Sequence, residues 1–239
     1  MSYSRGAPPG GVSLYLPPVT PMVLRIIVVL SVAFAVQVFL ELARLGGVVT
    51  WLALTPALVV GRLAVWQLAT YALLHGGLWH LLMNLLGLYM FGGDVERVVG
   101  SRRLLGLFAT SVVGGGLAHA LVALAAGSGY VPVLGASGGV LGVVAAFAAL
   151  FPQRQVFIFP IPVPIRAWVM ALVFAAINLY GAVGANRGGG IAFVAHLGGM
   201  LFGYLFLLWT VRGGPGGGSR RSRPRFRVLE GRGNDNLFH

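Results

Sequence analysis

The chain has 239 residues, 57% of them hydrophobic and only 9% charged, and its mean hydropathy is +0.87. One soluble core of that size has no room for so much apolar surface, so composition excludes a water-soluble globular fold and makes lipid the natural solvent. The net charge of +12 is carried by arginine alone, and the lack of cysteine excludes disulfides, thiol nucleophiles and thiolate metal sites.

Residues 1–21 hold Pro8, Pro9, Pro17, Pro18 and Pro21 and lack the flanks of a cleavable signal, so they read as a disordered cytoplasmic tail ahead of a retained first span. A hydrocarbon layer of about 30 Å needs roughly 20 helical residues. Six runs meet that requirement: Val23 to Ala43, Trp66 to Phe91, Leu104 to Ala126, Val133 to Phe151, Ala167 to Gly184 and Ile191 to Val211. Amides in lipid must be bonded within their own segment, so the runs are expected as helices, and the short alternating segments of a β-barrel are absent. The expected fold class is all-α, a six-helix polytopic membrane domain over residues 22–211.

Between the first two spans, Gly46 to Leu63 is apolar but interrupted by Pro56 and Gly61, and it is expected to lie in or on the outer leaflet. Asp94 and Glu96 are assigned to the first cytoplasmic loop. Phe151 to Arg166, with Pro152, Pro160, Pro162 and Pro164, reads as another cytoplasmic loop. Residues 212–239 form a basic tail expected to be disordered. With six spans, fourteen of the seventeen arginines fall on the side of both tails, so both termini are expected in the cytoplasm. The tail is read as a topology determinant in preference to a site for anionic lipid headgroups or nucleic acid, and membrane lipid, with no nucleic acid, is the expected surrounding of the chain. The arginine-only, glycine-rich composition points to a prokaryotic cell membrane.

Polar side chains inside apolar spans are costly and each needs a reason. His75, His80 and Asn84 lie in the second span, His119 in the third, Ser137 in the fourth, Asn178 in the fifth and His196 in the sixth. Ser137 and His196 each stand about 4 or 5 residues past the outer start of spans that run in the same direction, which predicts equal depth. Gly135 and Gly139, Gly138 and Gly142, and Gly199 and Gly203 have the spacing of close helix packing, which would let a hydroxyl meet an imidazole. A serine becomes a nucleophile when a base takes its proton. Gly76 and Gly77 predict a helix start near Leu78, placing His80 and Asn84 on one face as donors for an anionic oxygen, with the Ser137 amide as a further donor. His119 and Asn178 are read as structural, satisfied by backbone. None of the five carboxylates lies in the middle of a span, which excludes an aspartic dyad, and no His-Glu-x-x-His sequence is present. Neither a metal nor a cofactor is expected, and a Ser and His dyad is the supported arrangement.

These residues resemble the rhomboid intramembrane serine proteases. His75-Gly-Gly-Leu-Trp-His80-Leu-Leu-Met-Asn84 is similar to the family's second-helix motif, Gly135-Ala136-Ser137-Gly138 to its nucleophile motif, and Ala195-His196-Leu-Gly-Gly199-Met-Leu-Phe-Gly203 to its base-bearing sixth helix. The resemblance implies an endopeptidase cutting transmembrane protein substrates, with Ser137 as nucleophile, His196 as base, and His80 and Asn84 at the oxyanion. His75, Gly135, Gly199 and Gly203 are expected to support them. Leu141 stands where some members carry an aromatic residue, and Trp66-Gln67 where some carry Trp-Arg. The alternatives are a noncatalytic rhomboid-like protein that binds transmembrane helices, and a transporter.

Overall fold

The structure, a computed structural model, describes residues 18–158, 161–184, 191–211 and 213. The tail expectations for residues 1–17 and 214–239, and Arg187 of the outer side, lie outside the described residues.

Helix α1 (Pro21–Leu42) starts on a proline whose fixed φ suits the first helical position. It buries Met22, Val23, Ile26 and Leu30 and leaves Leu24, Val28, Val32 and Phe39 exposed. Such an apolar outer face has no place in water and marks a helix that meets lipid. Two short helices, α2 (Gly46–Leu52) and α3 (Pro56–Gly61), fill the stretch expected on the outer leaflet. A two-residue bridge, Leu54 with Val133, then ties this region to the segment that leads into the fourth span.

The second span is not one helix. It consists of α4 (Gln67–Thr70), a tight turn over Tyr71–Leu73, an extended break, and then α5 (Leu78–Gly87). A π turn over Leu88–Gly92 carries α5 into α6 (Gly93–Val99), so Leu78 to Val99 is one rod of about 33 Å. Asp94 and Glu96 therefore belong to a helix and not to the loop expected for them. The buried Glu96 carboxylate explains the difference. It accepts hydrogen bonds from Thr20 Oγ1, from the Met22 and Val23 amides at the start of α1, and from Ser101 Oγ. One carboxylate thereby satisfies orphan amides that the N-cap Thr20 leaves open.

Helices α7 (Ser101–Ala125), α8 (Ser137–Leu150) and α10 (Ile191–Val211) make the glycine-lined centre. A Cβ on Gly115 would lie 2.5 Å from the Ala195 carbonyl oxygen, and one on Gly203 would lie 2.7 Å from Cα of Gly142. Backbone therefore meets backbone, and dispersion from close approach replaces the hydrophobic drive that lipid does not supply. Helix α9 (Ala167–Gly184) packs on α10 from the outside. The proline-rich stretch expected as a loop holds an antiparallel hairpin, β1 (Gln155–Ile158) and β2 (Ile161–Arg166), in which Gln155 faces Arg166 and Val156 faces Ile165. Two strands have only edges, and edge positions tolerate Pro162 and Pro164. Helices α1, α7 and α10 are long and apolar enough to cross a membrane, while α8 and α9 are apolar but shorter.

Candidate active site

The fourth span was expected to begin near Val133, but α8 begins at Ser137 itself. The chain reaches that point extended, held by the Leu54 to Val133 bridge and by the Gly135 amide donating to Tyr71 O at 2.9 Å. At 14 residues α8 is about 21 Å long, well short of the hydrocarbon thickness, so an extended segment carries the serine into the bundle in place of helical turns. The first amides of a helix have no partner in their own ladder, and the Ser137 amide is among them.

His196 is on the sixth position of α10. Its Nε2 lies 2.6 Å from Ser137 Oγ. The glycines set this distance: Gly138 and Gly199 touch backbone to backbone, and a Cβ on Gly199 would fall 2.6 Å from the Gly138 carbonyl carbon. Gly203 repeats the close approach one turn further on, against Gly142.

His80 enters from α5. Its ring lies over Gly135, where a Cβ would be 2.6 Å from His80 Cε1, and Gly135 has a φ of +128°, which side chains rarely adopt. Glycine is needed there on both counts. Tyr71, His80, Leu134, Ser137, Phe193 and His196 line a cavity of about 210 Å³. Asn84 does not line it: its side-chain amide is buried and donates to the His80 carbonyl at 3.0 Å. His75 is buried beside His80, with ring centroids 5.2 Å apart. The structure thus brings Ser137, His196, His80 and Gly135 together, with Gly199 and Gly203 behind them, and holds Asn84 and His75 one layer back.

Two polar residues at the site were read otherwise from sequence or passed over. Asn178, read there as structural, sits on α9 with Oδ1 2.6 Å from His196 Nδ1, while its Nδ2 donates to Phe174 O at 2.7 Å. A signal for the contact was present. Asn178 stands 6 residues before the end of α9 and His196 5 residues after the start of α10, so across that antiparallel connection both lie at depths of about 8 to 9 Å. Gln37, which the sequence did not single out, clamps the chain break before α5. Its Nε2 donates to His75 O and its Oε1 accepts from the His75 amide, both at 2.9 Å. His119 is buried in α7. Among the described residues no group of three or more His, Asp or Glu could hold a metal ion.

A helical bundle with apolar outer faces, and a serine beside an imidazole in a small internal cavity, defines a class of integral membrane protein. Residues 62–213 match the Rhomboid domain family, and the chain belongs to that family. It is 38% identical over 133 residues to "Rhomboid protein 1, mitochondrial" of Saccharomyces cerevisiae, across 55% of this chain and 38% of that protein. It is 29% identical over 181 residues to "Rhomboid protease GlpG" of Pectobacterium atrosepticum, across 76% of this chain and 60% of that protein. The chain therefore spans between 38% and 60% of the length of these two relatives.

Proposed function

We propose that the protein is an intramembrane serine endopeptidase that hydrolyses a peptide bond in or beside the transmembrane helix of a protein substrate. The observation that carries this reading is the 2.6 Å separation of Ser137 Oγ and His196 Nε2 at the wall of an internal cavity. Ser137 Oγ attacks the scissile carbonyl as its proton passes to His196 Nε2. The imidazolium then gives that proton to the leaving amine, and water hydrolyses the acyl enzyme by the same route in reverse. The Ser137 amide and the His80 ring are the donors for the oxyanion. Asn84 acts behind His80: it does not line the cavity, and one N–H of its amide holds the His80 carbonyl.

Membrane lipid surrounds the helical bundle, and both termini are assigned to the arginine-rich, cytoplasmic side. Arg97, Arg102, Arg103 and Arg154 are among the arginines assigned to that side, with Arg44 and Arg62 on the other. The cavity accordingly faces the extracytoplasmic half of the bilayer. The rhomboid relative named as a protease and the cavity beside Ser137 and His196 support this reading.

The test is reconstitution in liposomes with a labelled substrate that crosses the membrane once. Wild type is expected to cleave it, and Ser137→Ala and His196→Ala to leave it intact. Cleavage by either variant at the wild-type rate removes the mechanism.

A further inference from the structure

We propose that Asn178 is the positioning residue that fixes the tautomer of His196, so that serine, histidine and asparagine form one hydrogen-bonded row shared by α8, α10 and α9. The proposal rests on the protease reading of Ser137 and His196 and deepens it.

The argument begins with the asparagine amide. Its nitrogen and oxygen differ in what they can do: the nitrogen only donates and the oxygen only accepts. One end of the amide faces the Phe174 carbonyl at 2.7 Å and the other faces His196 Nδ1 at 2.6 Å. A carbonyl oxygen only accepts, so the end toward Phe174 must be the nitrogen, and the reversed amide would set two oxygens against each other at bonding distance. Oδ1 therefore faces His196. An acceptor at that distance requires a donor, so Nδ1 carries the imidazole proton.

A neutral imidazole has one protonated nitrogen, and Nε2 is then left with its lone pair. That lone pair points at Ser137 Oγ, 2.6 Å away, and the hydroxyl donates to it. With the other tautomer, Nε2–H would point at Oγ and no base would face the serine. When the serine proton moves to Nε2, the proton on Nδ1 stays in place against Oδ1, so the imidazolium is hydrogen-bonded at both nitrogens.

Burial adds to the case. Asn178 is 6% exposed on a helix whose neighbours Ile177, Leu179 and Tyr180 are exposed apolar residues facing outward. A polar amide turned inward on such a helix, with both ends engaged, is held in one orientation. Its helix is in turn seated on α10 by Phe193, which fills the space above Gly181: a Cβ there would lie 2.6 Å from the Phe193 ring. Phe193 also meets the His196 ring edge-on, at 6.1 Å.

The experiment uses the full chain in liposomes with the labelled single-span substrate, together with nitrogen NMR of isotope-labelled histidine in detergent. Asn178→Leu keeps the size and removes the acceptor. It is expected to lower kcat about 10- to 100-fold with KM nearly unchanged. Asn178→Asp restores an acceptor oxygen and is expected to recover most of that loss. In wild type the His196 signal is expected to be that of the Nδ1–H tautomer, with a second tautomer appearing in Asn178→Leu.

A wild-type kcat in Asn178→Leu overturns the proposal, and so does a wild-type His196 protonated on Nε2. Should Asn178→Leu not fold, the wild-type spectrum decides alone. Full cleavage by Ser137→Ala removes the protease reading, and the tautomer then stands or falls on the spectrum.

Discussion

The two ends of the bundle use buried polar groups in opposite ways. At one end, Glu96 is 4% exposed and its carboxylate takes four donors, two hydroxyls and two amides. At the other, Ser137, His80 and His196 are half-buried around a cavity, and the amide that opens α8 has no partner in its own helix. A fully satisfied cluster pins α1 to the α6–α7 corner and has no capacity left for a ligand. A cluster with open valence costs stability and can receive a reactant, which is the expected signature of a working site. The glycine-lined contact of α7, α8 and α10 holds the helices that carry Ser137 and His196 backbone to backbone.

The comparison breaks most sharply at the cavity. Ser137→Ala or His196→Ala is expected to lower the cleavage rate by about 10³-fold or more, while the unfolding free energy changes by only ~1 kcal/mol for Ser137→Ala, the size of one hydrogen bond, and by about 2 kcal/mol for His196→Ala, which loses its bonds to both Ser137 and Asn178. Cleavage assays beside thermal unfolding in detergent measure both, and a large loss of stability without loss of activity would invert the roles of the two ends.

Next in size is the glycine contact. Gly199→Val is expected to cost about 3 kcal/mol or more, because the added atoms meet the Gly138 backbone, which cannot swing aside as a flexible side chain can. Thermal unfolding of the variant checks this, and a small shift would mean that α8 and α10 slide apart easily.

The carboxylate end comes third. Glu96→Ala leaves two buried amides and two hydroxyls unpaired and is expected to destabilise by about 2 to 4 kcal/mol, with kcat per folded molecule retained. Burial alone pushes the Glu96 carboxyl up, but the bonds from Ser101, Thr20, Met22 and Val23 outweigh it and hold its pKa below the ordinary 4.5. A carboxyl depressed in the folded state contributes stability that is complete above its unfolded pKa and is lost as the pH falls through its folded one. Wild type should therefore lose stability on acidification below about pH 4.5, and Glu96→Ala should lose less over the same interval. Parallel curves for the two proteins would remove Glu96 from the pinning role.

The smallest effect serves as the control. Gly46 opens the exposed helix α2 with nothing within 4 Å of an added Cβ, so Gly46→Ala should stabilise slightly, by about 0.4 to 1 kcal/mol, and leave cleavage unchanged. A loss comparable to that of Gly199→Val would show that crowding is not what separates the glycines.

Much of the fold was legible because lipid imposes strict rules on sequence. Most of the six apolar runs are helical, apart from the break in the second and the extended entry to the fourth, Gly76 and Gly77 marked the start of α5 at Leu78, and the glycines at four-residue spacing announced where backbones would touch. What was not legible concerns rotation and distance. Nothing in the order of residues says that α8 starts at Ser137 and not four residues earlier, since Val133 to Ala136 are as apolar as the helix that follows. Hydropathy likewise placed Glu96 in a loop, because a carboxylate without visible partners reads as solvated, and its partners Thr20 and Met22 are more than seventy residues away.

Residue chemistry and the span lengths, both local properties, determined from sequence alone that this chain lives in a membrane as a helical bundle, while the rhomboid family came from the resemblance of three motifs and the match over residues 62–213. Only the tertiary structure decided that Asn178 turns to His196, that Asn84 turns away from the cavity, and that Gln37 holds the break before α5. The reason is physical: a polar side chain in an apolar helix can satisfy its own backbone or a neighbour's, the two choices differ little in energy, and the rotation of each helix against the next selects between them.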